Sequence, residues 1–382
     1  MTPIPRQMNS RIDPQARRKT PLAAKLKHRI ELSGPISVED YVQACLYDPE
    51  HGYYVSKPAI GHSSDFITAP EISQVFGELL GIWTIMTWQQ LGSPAALNLI
   101  ELGPGRGTMM ADALRSIAKI PELASALTIH LVDTNAVLRQ SQLSKLEGQI
   151  PAIHHHASMT ELAKFPAAER TPSIVLANEF VDALGVRQQI MCDGHWRERT
   201  VDVNGDGELV FSVGREEAVG ASGPAADSEI RESNPAIDAG IRQFLVSLAR
   251  RAPVAALFID YGYTEPTIGE TLQAMRAHAY EHPLTSPGEA DLTAHVDFSD
   301  LANCLSSSGF WIDGPVTQAE FLGRLGIIER TSQLMARNPD KAAALEASTM
   351  RLLAPNGMGT RFKAIGARNW DGSALTGLAL AG

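Results

Sequence analysis

Cysteine is scarce in this chain of 382 residues: Cys45, Cys192 and Cys304 stand more than a hundred residues apart and form no CxxC pair. That excludes a disulfide framework and a zinc finger, and it fits a reducing compartment. No window approaches eighteen consecutive apolar residues and the N-terminus has no apolar core segment, so neither a membrane span nor a secretory signal is expected. A cytoplasmic location follows. The alternative is a mitochondrial transit sequence built on Arg6, Arg11, Arg17, Arg18 and Lys19, opposed only by Asp13. No GxxxxGK[ST] run is present, which excludes ATP hydrolysis by a P-loop, and no internal repeat is visible.

What is present describes an ordinary globular chain: 44% hydrophobic residues and 20% charged residues, with 31 glycines and 23 prolines, long enough for a large core. The charge is uneven. Residues 1–30 hold eight Lys or Arg against one Asp and so carry +7, leaving −17 on the rest of a chain whose formal charge is −10. An acidic body repels phosphates, so no nucleic-acid partner is expected, and basic protein segments are favoured.

Along the chain, residues 1–20 read as a disordered basic tail and residues 21–94 as a helical extension. Leu22, Leu26 and Ile30 recur at helical spacing, and Ser37 to Asp40 has a capping pattern. Within SSDFITAP (residues 63–70) and the amphipathic run to Trp88, Thr68 and Glu71 form a T-x-x-E capping box. Ile72, Val75, Phe76, Leu79, Leu80 and Trp83 share one apolar face. From residue 95 the pattern changes to short apolar runs at 97–102, 128–132, 173–177 and 254–259, with a weaker one at 152–154. They are spaced for crossover helices, which predicts a parallel sheet with helices on both faces. The core spans 95–262, interrupted at about 186–230 by an antiparallel hairpin with a turn at 204–207 and a mobile loop at 214–228. Residues 263–370 complete the core with helical insertions and a last strand at 362–365, and residues 371–382 read as a disordered tail.

The sharpest motif is LIELGPGRGT (residues 99–108), where a strand ends in Glu101 and Gly103, Gly105 and Gly107 alternate. Glycine is required where the backbone turns abruptly and a ligand must reach main-chain N–H groups. A dinucleotide fingerprint wants a third glycine where Thr108 stands, which weakens an NAD-dependent oxidoreductase reading. Asp133, at the end of the second strand, is placed to hold a ribose diol. NEFVD (residues 178–182) ends the fourth strand. A helical turn there brings Glu179 and Asp182 to one side, where two carboxylates suit a guanidinium acceptor, unless one of them simply caps a helix. His295 and Asp297 have the spacing of a base and its orienting acid, or of a structural pair. Asp202, Asn204 and Asp206 mimic the start of an EF-hand loop, but Val213 occupies its twelfth position. His154, His155 and His156 are consecutive and cannot all face one metal from a strand, so no metal is expected.

Six blocks carry a resemblance: LIELGPGRGTMMADALR, SDFITAPEISQVFGE, NEFVDAL, FIDYGY, GEADLTAHVDF and MGTRFKAIG, and the match extends from about residue 22 to residue 367. Together they resemble the MidA/NDUFAF7 family (DUF185) of class I S-adenosylmethionine methyltransferases. The resemblance implies an α/β, Rossmann-like class I methyltransferase sheet with a helical N-terminal extension and an inserted substrate-side subdomain. It implies S-adenosyl-L-methionine as cofactor, with Glu101, Gly103, Gly105 and Gly107 taking the family's binding roles; Asp133 and Asn178 at the strand ends are further cofactor candidates, and the residue chemistry above leaves Glu179, Asp182, His295 and Asp297 as catalytic candidates. The implied reaction is methylation of a protein arginine on a core subunit of respiratory NADH dehydrogenase (complex I). A non-catalytic assembly chaperone retaining the same fold is the rival from another class. The insertion helices could support a homodimer, although nothing in the pattern requires one. Two departures stand out: Asp133 where the family carries Glu, and Gly185 where it carries Pro.

Overall fold

The computed structural model describes residues 12–56, 68–149, 152–165, 170–218, 225–265 and 267–380. The chain divides into two compact units, Met1–Phe66 with Asp182–Pro235 and Thr267–His295, and Ile67–Val181 with Ala236–Pro266 and Val296–Gly382. The expected extension at 21–94 is therefore shared between the units, and the stretch 267–295 leaves the core before the chain re-enters it at Val296.

The larger unit is built on a mixed sheet. In chain order its strands are β1 (Leu97–Leu102), β2 (Leu127–Val132), β3 (Ile153–His156), β4 (Ser173–Asn178), β5 (Val254–Tyr263), β6 (Val296–Asp297), β7 (Trp311–Thr317) and β8 (Phe362–Arg368). The spatial order is β7-β8-β5-β4-β1-β2-β3, with β6 pairing with the end of β5. Strands β5, β4, β1, β2 and β3 are mutually parallel, and β8 is antiparallel to both β5 and β7. Every residue of β1 and β4 is buried, because helices cover both faces of such a sheet, and that is why their sequences read as mostly apolar runs, broken only by the buried Asn98 and Glu101 in β1 and by Ser173 and Asn178 at the ends of β4. The chain leaves β1 towards β2 on one side and β4 towards β5 on the other, which opens a crevice beyond the carboxyl ends of β1 and β4.

Helix α1 (Gln74–Gln90) lies against α2 (Thr108–Ile117) at unusually close range. A Cβ on Gly81 would sit 2.3 Å from the Ala113 carbonyl oxygen, so only hydrogen fits there. The predicted helix over residues 71–88 is in fact broken. Ala69–Ile72 is one short helix, Ser73 is extended, and α1 then starts with the Ser73 hydroxyl accepting the Val75 amide at 3.2 Å. Thr68 makes no side-chain cap, so the capping box is absent, because Glu71 is bonded elsewhere. The apolar face holds: Val75, Phe76, Leu79, Leu80 and Trp83 are fully buried and Ile72 packs against them.

The C-terminal segment corrects a second expectation. Leu375 and Leu378 are fully buried, the Leu375 amide donates to Asp313 Oδ2 at 3.0 Å, and Arg368 pairs with the same carboxylate at 3.0 Å while donating to the Trp370 carbonyl. Two leucines make no periodicity, so the sequence gives no signal. Their groove exists because Gly366 has no Cβ, which would stand 2.6 Å from Leu378 Cδ1. Residues 381–382 lie outside the described residues.

In the smaller unit, helices Pro21–Ser33 and Val38–Tyr47 bury Leu22, Leu26 and Ile30 as their spacing predicts, and Ser37 caps the second through the Asp40 amide. The predicted hairpin is Arg187–Cys192, His195–Val203 and Leu209–Glu217, antiparallel throughout. The EF-hand look-alike is its turn: Asn204 Oδ1 accepts from the amides of Asp206 and Glu208. The third strand runs past Gly214 to Glu217 where a loop was expected, and residues 219–224 lie outside the described residues. Part of the basic tail is fixed, since Arg18 N donates to Thr285 O and Thr20 Oγ1 to Pro287 O, each at 2.8 Å. Residues 1–11, and 63–67 of the SSDFITAP block, lie outside the described residues. Gly185 has φ +92°, a conformation closed to the family's Pro, whose ring fixes φ near −65°.

Gly81→Val should lower stability by about 3 kcal/mol through forced separation of α1 from α2, read as a shift in denaturant midpoint. Leu378→Ala should cost about 2–4 kcal/mol, whereas a disordered tail would leave the midpoint unchanged.

Candidate functional site

The larger unit gathers its polar residues at the carboxyl ends of β1, β2 and β4. Glu101 is the penultimate residue of β1, 2% exposed, and its Oε2 has no hydrogen-bond partner among the described residues. Burial, reinforced by the nearby Asp133 carboxylate, pushes its carboxyl up to about 8. The chain then reverses through Gly103, Gly105 and Gly107, whose φ values of 66°, 52° and 75° all lie in the left-handed region that favours glycine. A Cβ on Gly103 would also meet Phe180 Cδ2 at 3.0 Å. Gly107 is the N-cap residue of α2, so the positive end of that helix faces the loop.

Asp133 follows β2 and is largely buried, which raises its carboxyl above the usual range. Its Oδ1 accepts the Asn135 amide at 2.8 Å and its Oδ2 accepts Gln142 Nε2 at 2.9 Å. Gln142, on α3 (Ala136–Leu146), is fully buried and also donates to the Gly105 carbonyl at 2.7 Å. It therefore ties the glycine loop to the Asp133 carboxylate. Nothing in a helical pattern marks one glutamine as buried, and sequence reading missed it.

Asn178 ends β4 and Glu179 follows it. Asn178 Nδ2 donates to Glu179 Oε1 at 3.2 Å, and Asn178 Oδ1 is buried without a hydrogen-bond partner among the described residues. Glu179 has φ +50°, a conformation that costs a non-glycine residue about 1–3 kcal/mol and clusters at functional sites. The residues that follow form bends and turns, so the helical turn expected to align Glu179 with Asp182 does not exist. Glu179 instead caps the short helix Ala69–Ile72, accepting the Ala69 amide at 2.9 Å. The loop is held from below by Asp260, buried on β5, whose Oδ2 accepts the amides of Phe180 and Val181 at 3.2 and 3.0 Å. The IDYG segment gave no hint of that role.

Asp182 and His295 belong to the smaller unit, where the Ala294 amide donates to the Asp182 carbonyl at 3.3 Å and the His295 amide to Thr271 Oγ1 at 2.9 Å. Asp297 caps the helix Phe298–Ser306 through the amides of Ser299 and Asp300, a helix-end use that competes with orienting His295. His154 and His156 stack on the buried His130 beside Phe165, and burial, with the neighbouring His rings, pushes His130 down to about 3, so that ring packs as a neutral group. Among the described residues no group of three His, Cys, Asp or Glu is placed to hold a metal ion.

These residues fit S-adenosylmethionine. An orphaned, buried carboxylate oxygen on Glu101 suits a cationic amino group, and the left-handed glycines let a nucleoside approach the main chain. Asp133 keeps lone pairs on both oxygens for a ribose diol. Strand order, glycine loop and post-strand acid together define a class I S-adenosylmethionine-dependent methyltransferase.

The profile of an S-adenosyl-L-methionine-dependent methyltransferase family matches residues 79–316. The chain is 37% identical to the mitochondrial protein arginine methyltransferase NDUFAF7 of Danio rerio, over 88% of this chain and 85% of that protein. It is 33% identical to the Homo sapiens protein of the same name, over 90% and 82%. A crystal structure of a COG1565 superfamily protein from Burkholderia thailandensis bound to S-adenosyl-homocysteine matches with a TM-score of 0.78 and 26% identity, over 92% of this chain and 93% of that one. The chain belongs to the MidA/NDUFAF7 family, is an enzyme of the S-adenosylmethionine-dependent methyltransferase class, and contains among its described residues no helix long and apolar enough to cross a membrane. The relatives' names place them in mitochondria, which does not support the cytoplasmic expectation.

Glu101 sets a pH dependence. Its folded value of about 8 lies above the ordinary 4.5, so the stability it contributes is complete below that lower value and is lost as pH rises through about 8. Thermal melts of the ligand-free protein should therefore fall between pH 5 and 8, and fall less in Glu101→Gln. The same variant should bind S-adenosylhomocysteine at least tenfold more weakly by calorimetry. Gly103→Val should abolish that binding.

Proposed function

We propose that the protein methylates an arginine side chain of another protein, and that the acceptor is a core subunit of respiratory NADH dehydrogenase (complex I). The arginine methyltransferase names of the relatives, over about nine-tenths of this chain, support the acceptor class. The observation that carries the reading is Glu179, a carboxylate held in left-handed backbone at the end of β4 with its Oε1 fixed by Ala69 and Asn178.

S-adenosylmethionine, when bound, supplies an electrophilic methyl group. The acceptor guanidinium is protonated at any ordinary pH, so the protein must orient it and localise electron density on one nitrogen; as the new N–C bond forms and the S–CH3 bond breaks to leave the thioether, one N–H proton leaves during or after transfer. The Glu179 carboxylate is the proposed acceptor of the guanidinium N–H groups, and the bonds to its Oε1 give it a defined direction. The Glu179–Ala69 bond spares the carboxylate the entropy of finding its place with each substrate. Asp182 and His295 are next in the proposed order of involvement. Asp297 is last, because its Oδ1 already caps a helix. The proposed location follows the acceptor: the compartment in which complex I core subunits are made.

Incubating the purified protein with S-adenosylmethionine and recombinant complex I core subunits should yield methylarginine by mass spectrometry. Glu179→Gln should lower turnover at least tenfold while S-adenosylhomocysteine affinity stays within about threefold. Equal turnover removes Glu179 from the mechanism. Tight subunit binding without any methylarginine transfers the reading to an assembly chaperone.

A further inference from the structure

The short helix Ala69–Ile72 is held at both ends by residues of the cofactor crevice. At its start, the Ala69 amide, an orphan donor of the first turn, is satisfied by Glu179 Oε1 at 2.9 Å rather than by its own N-cap Thr68. Near its end, Glu71 Oε1 accepts the Thr108 hydroxyl at 2.6 Å, and Glu71 Oε2 lies 3.6 Å from Arg106 Nη1. Arg106 and Thr108 flank Gly107, so Glu71 grips the glycine loop on both sides of its last left-handed residue. Thr108 Oγ1 also accepts Lys145 Nζ at 2.6 Å from α3, the helix whose Gln142 binds the Gly105 carbonyl. One continuous hydrogen-bonded path thus runs from the glycine loop through Thr108, Glu71 and the 69–72 turn to Glu179.

We propose that Glu71 is a positioning residue that couples occupancy of the glycine loop to the placement of Glu179. A ligand that fixes the backbone from Gly105 to Thr108 fixes the Thr108 hydroxyl. Glu71 passes that restraint to the 69–72 turn, and the Ala69 amide passes it to Glu179. Such coupling is reciprocal, so anything that orders Glu179 tightens the glycine loop for its ligand. In functional terms, S-adenosylmethionine would prepare the acceptor carboxylate before the arginine arrives. That last step rests on the acceptor role proposed for Glu179, whereas the coupling itself does not.

The spacing explains why Glu71 does this and not the capping-box job its sequence context suggests. The box needs the N3 side chain to fold back on its own N-cap amide. Here Thr108, the residue that replaces the third glycine of a dinucleotide fingerprint, offers a hydroxyl and a neighbouring ammonium instead. A charge-assisted bond of that kind is about twice as strong as a neutral one.

The test is amide hydrogen exchange of the intact protein, free and saturated with S-adenosylhomocysteine, with affinity measured in parallel by calorimetry. In the wild type, ligand should slow exchange of the Thr68, Ala69, Glu71 and Ile72 amides at least tenfold. Glu71→Gln and Thr108→Val should bind the ligand within about fivefold of wild type yet lose most of that slowing, while Thr108→Ser, which keeps the hydroxyl, should retain it. Equal slowing in Glu71→Gln and the wild type overturns the proposal. So does no slowing in the wild type, or complete loss of ligand binding in Glu71→Gln, which would make Glu71 part of the ligand site itself. Because no acceptor is present, failure here leaves Glu179→Gln turnover untouched, and failure of that turnover test leaves this one standing.

Discussion

Between Leu102 and Thr108 the chain must leave a strand buried on both faces, reverse, and start a helix whose amide end stays open to a ligand. Backbone geometry permits this only through left-handed residues, and three glycines with φ between 52° and 75° supply them. Everything around the loop serves or exploits that reversal. Glu101 is carried into the crevice with an oxygen unpaired among the described residues, Gln142 ties the Gly105 carbonyl to Asp133, and Glu71 binds Thr108 on the helical side. A side chain on any of the three glycines would strain the turn, and on Gly103 it would also collide with Phe180.

The electrostatics of the crevice follow from the same geometry. A carboxyl buried at the end of β1, with a second acid after β2, is costly to ionise, and the cost is visible as an elevated proton affinity at Glu101. A cationic ligand removes that cost, so the apo protein stores in one side chain a preference for the charge it is built to receive. Glu179 is handled in the opposite way. Its backbone is strained, but its carboxylate is anchored by an amide and a carboxamide, and its loop by Asp260. Rigid supports beneath a strained residue are what allow such a conformation to persist.

Much of this was legible in advance, and the misses share a cause. Strands β1 and β4 were found almost residue for residue, and β5 in its apolar first six residues, because burial on both faces leaves few polar positions to blur an apolar run. The hairpin about the turn at 204–207 was legible because strand alternation and an Asn-Gly turn are local, although its last strand's run to Glu217 was not. What failed was every feature set by a partner distant in sequence. Glu71 looked like a capping box until Thr108 claimed it, and Glu179 was to face Asp182 but caps a helix 110 residues earlier. Leu375 and Leu378 looked unanchored because their groove is lined by residues such as Gly366 and Phe321.

The sequence by itself determined the sheet, the glycine loop, and the identity of the acids at the strand ends, since these depend on short-range periodicity and on the conformational freedom of glycine. It also determined the family, through six blocks in order. Only the tertiary structure decided what each acid does: which oxygen of Glu101 lacks a partner, which amide Glu179 holds, and that Asp182 and Glu179 fall in different compact units. A carboxylate's role is fixed by the donor it meets within about 3 Å, and that donor is chosen by how the chain packs, not by its neighbours along it.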